Sequence, residues 1–162
     1  MKEVLIQKLH QYIIANNPDL LIELQGERKV TDYLQNKVTA IDEMLEKLKA
    51  DSNPEYIIEE ICMEELTKDL KPSKYNYIKG ILEEDFNDKH EHFRDAGILT
   101  TEIINLIKVC KPAFEDLNFS SENEDDRFIR YAITGMISEY MERNSENENV
   151  SNGLQQSAET AG

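Results

Sequence analysis

Apolar residues recur along this chain at helical spacing almost from end to end. Val4, Leu5, Leu9, Tyr12 and Ile13 form a first stripe, and Asn17-Pro18 reads as an N-cap followed by proline at the first helical position. Leu20, Leu21, Ile22 and Leu24 make a further apolar turn before Gly26. The clearest stripe is Val30, Leu34, Val38, Ile41, Leu45 and Leu48, whose gaps of four, four, three, four and three keep one face of a long helix toward a core. This helix is predicted to end near Ala50. Asn53-Pro54 repeats the cap-plus-proline start, and Ile57, Ile58, Ile61, Cys62 and Leu66 supply the next buried face. Lys71-Pro72-Ser73 breaks it. Ser73 is placed to cap a helix carrying Ile78, Ile81, Leu82 and Phe86, which the pattern runs on through His90 and Phe93 to a stop at Gly97. A shorter helix with Ile103, Ile104 and Ile107 begins at Thr100 or Thr101 and is expected to end at Pro112. Ser121-Glu122-Asn123-Glu124 has the capping-box pattern, and the last helix is expected to bury Phe128, Ile129, Ala132, Ile133, Met136, Ile137 and Tyr140.

No alternating apolar and polar run competes with these helices, so strands are not expected. After Arg143 the composition changes abruptly: residues 144–162 contain no Lys, Arg or aromatic residue, and only Val150 and Leu154 among the larger apolar ones. Such a segment cannot bury enough surface to offset its ordering entropy. The expected architecture is therefore all-α, a single multi-helix orthogonal or bundle-like domain of about six or seven helices over residues 1–143, followed by a disordered polar tail over 144–162. Of the core positions, Leu34, Ile41, Leu45, Ile58, Ile61, Ile81, Phe86, Ile104, Ile133 and Ile137 are expected to be largely buried. Gly80 and Gly135 fall inside predicted helices, where each costs about 1 kcal/mol relative to alanine, and close helix–helix approach is the expected reason.

Charge narrows the function more than the helices do. The 162 residues carry 33 Asp and Glu against 18 Lys and Arg, a formal net charge of −15. Such a surface repels phosphate and attracts cations or basic partners, so neither direct nucleic-acid binding nor membrane association is expected. Cys62 and Cys110 are the only cysteines and read as small buried hydrophobes in a reducing compartment. The N-terminus turns polar at Gln7 and Lys8, unlike the apolar region of a signal peptide, and no apolar run approaches a membrane span. A cytoplasmic location is expected.

Candidate chemistry is sparse. His90-Glu91-His92 lies among Asp85, Asp88 and Asp95, but residues two apart point about 200° away from each other on a helix, so both imidazoles cannot share an ion without another segment. The segment is neither His-Glu-x-x-His nor Glu-x-x-His, and His92 paired with Asp88 on a solvated face is the expected arrangement. No calcium loop, nucleotide-binding glycine loop or nucleophile elbow occurs. No metal, cofactor or catalytic residue is assigned. One segment opposes the overall charge: Lys68, Lys71, Lys74 and Lys79, with Tyr75 and Tyr77 interleaved, surround Pro72. Lys71, Lys74, Tyr75, Tyr77 and Lys79 are the candidate contacts for a partner or an anion, because basic and aromatic residues together grip phosphate and stack on bases. The alternative for the same residues is structural, with lysines near a helix C-terminus and tyrosines packing the next helix's first turn.

Ser73-Lys74-Tyr75, Ile81-Leu82-Glu83-Glu84-Asp85-Phe86, Lys111-Pro112-Ala113-Phe114, and a last helix with Gly135 and Tyr140 resemble a family of small all-helical Bacteroidetes proteins. That family carries a domain-of-unknown-function label and is frequently encoded on conjugative or mobile elements. The resemblance covers roughly residues 1–143, with Pro72 standing where the family is expected to have an aromatic residue. It implies a fold class and a genomic setting, and it assigns no residue a role. The leading expectation is a non-enzymatic acidic interaction protein that binds an unidentified protein, a basic one among the candidates, in mobile-element biology. The alternatives are an acidic DNA mimic acting on a nucleic-acid-binding protein, a nucleic-acid module using the Lys68–Lys79 patch, and an enzyme that gathers His90 or His92 with acids from another helix.

Overall fold

In a computed structural model that describes residues 1–160, with side chains through Ser145, every regular element among the described residues is helical. The order is α1 Lys2–Asn16, α2 Pro18–Leu24, α3 Glu27–Ala40, α4 Asp42–Ala50, α5 Glu55–Thr67, a 3-10 turn Lys68–Leu70, α6 Lys74–Asp85, α7 Asn87–Asp95, α8 Leu99–Asp116 and α9 Arg127–Thr160. The all-α class is as expected, but nine α-helices among the described residues replace the expected six or seven. The bounds of α9 run to Thr160, while the expected disordered tail over 144–162 falls almost entirely outside the residues whose side chains are described. No helix of the described residues is long and apolar enough to cross a membrane.

The extra helices come from breaks that leave the hydrophobic register intact. The stripe from Val30 to Leu48 is two helices, because Ile41 sits at φ −103°, ψ 15° and its N–H bonds Val38 O at 3.3 Å in a 3-10 step. Val38, Thr39 and Ile41 are β-branched, and Asp42 and Glu43 suit the start of a new helix, where unpaired amides favour negative charge. Phe86, at φ −134° and ψ 45°, likewise divides α6 from α7. The opposite correction applies at Pro112, which lies inside α8 instead of ending it. Pro112 and Lys108 are both exposed, so water can satisfy the carbonyl left free by the missing N–H, while Cys110 and Phe114 stay buried.

Termination and capping follow local chemistry. Gly97 stops α7 at φ 75°, with Ile98 N–H donating to Phe93 O at 2.9 Å, the Schellman arrangement. Ser73 caps α6 by accepting from Asn76 N–H at 3.0 Å. Asn53 does not start α5. Its amide donates to Leu48 O at 3.0 Å and so completes α4, leaving Pro54 at the α5 N-cap. The capping box at Ser121–Glu124 is also displaced: those residues form turns, and Asp126 Oδ1 accepts the Phe128 N–H at 2.7 Å to begin α9.

The chain divides into two compact units, Met1–Gly80 and Ile81–Gly162. In the first, α1 packs against α2, α3 and α5, and α4 against α3 and α5. Its core is Leu5, Leu9, Ile13, Leu34, Val38, Leu45, Ile58, Cys62 and Leu66. Ile58, Cys62 and Leu66 advance in steps of four, and Ile61 lies off that arc and is 37% exposed, contrary to expectation. In the second unit, α8 packs against α7 and α9, and Tyr140 Oη donates to Glu102 Oε2 at 2.7 Å. Ile103, Leu106, Cys110, Ile133 and Ile137 are fully buried. Phe86 is half-buried. An added Cβ would meet nothing within 4 Å at Gly80 or Gly135, so close helix approach does not explain either glycine.

Candidate functional site

The basic and aromatic segment around Pro72 folds into a polar seam. Ser73 Oγ, besides capping α6, donates to Asn16 O, and Asn76 Nδ2 donates to Asn16 Oδ1 at 2.8 Å. Asn17, the expected cap of α2, spends its amide on Leu70 O at 3.2 Å. Tyr75 is buried, Tyr77, Lys74 and Lys79 are half-buried, and Lys71 is exposed. Stacking on nucleic-acid bases requires open aromatic faces, which a buried Tyr75 does not offer. Lys74 faces the half-buried Asp19, whose carboxyl burial pushes above its ordinary range against the opposing pull of its own backbone N–H and of Lys74. Lys74 thus works partly as a counter-ion within the fold.

The histidines diverge as helical geometry requires. His90 is buried and His92 exposed, with the His92 ring 6.0 Å from that of Phe93. The carboxylate neighbour belongs to His90 instead of His92: Glu83 Oε1 lies 3.6 Å from His90 Nε2, beyond hydrogen-bond range. Among the described residues, no group of three or more His, Cys, Asp and Glu side chains is arranged to hold a metal ion. Both thiols are free and buried. Burial pushes the Cys62 thiol up and the Cys110 thiol up to about 11, so neither is an activated nucleophile.

An open cleft of about 590 Å³ lies in the first unit, walled by Ile6, Leu21, Val30 and Leu34, with His10, Glu27 and Gln35 at its polar edge. The Thr31 hydroxyl beside them is engaged with Glu27 O at 2.9 Å. Apolar walls of this size suit retention of a small apolar group, but no side-chain pair here forms the hydrogen-bonded nucleophile and base that covalent catalysis needs.

The acids, by contrast, are displayed. Glu83, Glu84, Asp85, Asp88, Glu91 and Asp95 are all exposed from the end of α6 through α7, as are Glu122, Asp125 and Asp126 ahead of α9. Beside that second group, Phe128 and Tyr131 are each 70% exposed. Phe128 was expected in the core. The buried stripe of α9 is Ile129, Ile133, Ile137 and Met141, in steps of four, and Phe128 and Tyr131 fall on the opposite side of the helix. No protein-family model, curated protein or solved structure matches the chain.

Proposed function

We propose that the chain is a non-enzymatic, acidic helical interaction module whose partner is a basic protein. The observation that carries this reading is the outward placement of carboxylates along α6–α7 and ahead of α9, on a molecule of net charge −15. Exposed like charges raise the encounter rate with an oppositely charged surface and select against acidic competitors. Protonated, buried thiols support a non-catalytic role and a reducing, cytoplasmic setting. The proposed mobile-element setting rests on the family resemblance of the segments around Ser73, Ile81, Lys111 and Gly135.

Affinity capture from the native host, with the immobilised chain washed through a salt gradient, tests the reading. The expected result is a basic protein retained at low ionic strength and released as the Debye length shrinks from about 10 Å at 0.1 M toward about 3 Å at 1 M. A partner held equally at both ends of the gradient would overturn the electrostatic basis.

A further inference from the structure

The outward face of the first turns of α9 has the construction of a docking surface. Phe128 and Tyr131, three residues apart, share one side of the helix, about 5–6 Å between Cβ atoms. At 70% exposure each, they present roughly 300 Å² of largely apolar area, comparable to the largest such patch on an ordinary monomer. The start of the helix is also held by specific contacts. Asp126 caps the helix on the Phe128 N–H, Ile129 and Ile133 are buried on the opposite side, and Arg130 ties the helix to Glu84 at 2.8 Å and Asp85 at 3.2 Å. The acidic loop beside it is ordered by Asn123, whose Oδ1 accepts from Ser120 N–H at 2.7 Å and whose amide donates to Asn118 O at 2.9 Å. Aromatic side chains with few rotatable bonds on a capped helix lose little entropy on binding, which is the arrangement that concentrates affinity in a few residues.

We infer that Phe128 and Tyr131, with the rim Glu122, Asp125 and Asp126, dock a lysine- or arginine-rich amphipathic helix of a partner protein. This rests on the interaction-module reading and names its surface. Charge complementarity selects the occupant: the exposed Glu122, Asp125 and Asp126 that lead into the helix outnumber the exposed Arg127 at its start, and acids leading into two aromatic rings match apolar side chains flanked by basic ones. A second copy of the chain would bring the same acidic rim and another −15 charges against it. The surface is a helix face, and no strand edge among the described residues offers backbone pairing to an extended peptide, so the occupant packs as a helix.

The probe is a fluorescein-labelled synthetic Lys/Leu amphipathic helix of about 18 residues, long enough to fold on binding, beside a Lys/Gln control of equal charge, each titrated by anisotropy with the full chain. The expected result is binding of the Lys/Leu peptide about tenfold or more tighter than the control, and loss of that margin in Phe128→Ala/Tyr131→Ala. Glu122→Gln/Asp125→Asn should weaken both peptides and flatten the salt dependence, while Tyr56→Ala, at an exposed aromatic on α5, should change neither. Both α9 residues are exposed, so circular dichroism should match the parent, and amide-exchange protection on peptide binding should fall on residues 122–135. Equal binding by the aromatic double variant, or protection on another segment, overturns the surface while leaving the basic-partner reading standing. Failure of both peptides to bind the parent chain at low salt overturns the reading itself.

Discussion

Replacing Ile133 by alanine and, separately, Gly135 by alanine should move stability in opposite directions, although the two positions are neighbours on α9. Ile133 is fully buried in the helix that packs against α8. Truncation removes Cγ1, Cγ2 and Cδ1, a transfer loss of about 2.4 kcal/mol at about 0.8 kcal/mol per carbon, and the cavity left behind brings the expected cost to about 2–5 kcal/mol. Gly135 is exposed, and an added Cβ meets nothing within 4 Å. The alanine should therefore stabilise by about 1 kcal/mol, the helix-propensity difference between the two residues. With a urea slope of about 2 kcal/mol/M, the unfolding midpoint falls by about 1–2.5 M for Ile133→Ala and rises by about 0.5 M for Gly135→Ala.

Urea titration followed by circular dichroism gives the midpoints. Because the chain has two compact units, amide exchange in the α8 and α9 segments should accompany it, so that the change is assigned to the unit that carries the substitution. Residues two apart on a helix point about 200° from each other, so the pair reports the rotation of α9 about its own axis. A cost below about 1 kcal/mol at Ile133, or a loss at Gly135, would mean that the helix is turned the other way. The same result would bury Phe128 and Tyr131 and remove the docking surface.

Asp126→Ala should cost about 1 kcal/mol by leaving the first amides of α9 without their cap, whereas Asp126→Asn should stay within a few tenths of the parent in the same titration. The Cys110 thiol keeps its proton to about 11 when folded, against an ordinary value of 9.0, so its contribution to stability is fully present below pH 9.0. That contribution is lost as pH rises from 9.0 toward 11, by about 1–2 kcal/mol after discounting for solvent screening, and Cys110→Ala should lessen the fall in that window. Alkylation of either buried cysteine near neutral pH should require denaturant, as mass spectrometry of labelled protein would show. Generic duplex DNA should not bind measurably at physiological ionic strength. Tight, salt-sensitive binding abolished by replacing Lys71, Lys74 and Lys79 would favour a nucleic-acid role instead.

The parts of the fold legible in the sequence are those decided within a turn or two of the chain. The Leu34, Val38, Leu45 stripe, the Ser73 cap and the Gly97 stop each depend on neighbours in sequence, and each stands as read. The breaks at Ile41 and Phe86 were hidden because apolar spacing continues across them: Val38, Ile41 and Leu45 satisfy one helix or two equally well. Pro112 sits inside α8 for a related reason, since the cost of a proline depends on whether water reaches the carbonyl it frees, and composition does not record which way a turn faces. Asn17 does occupy the N-cap of α2 ahead of Pro18, though its side chain bonds Leu70 O instead of the helix amides, whereas Asn53 leaves the α5 cap to Pro54 and bonds Leu48 O.

For the candidate surface the acids were visible and the aromatics were not. Phe128 adjoins Ile129 in an apolar pair, yet the steps of four from Ile129 to Met141 define an arc that excludes both Phe128 and Tyr131. That phase was the available signal. Two open aromatic rings on a surface of ordinary charge would invite self-association. Under the proposed docking, a net charge of −15 would set copies against one another and draw in a basic helix. On that proposal the acidity and the exposed aromatic pair are parts of one device, in which the charge that keeps the rings from meeting their own kind would also select what they meet.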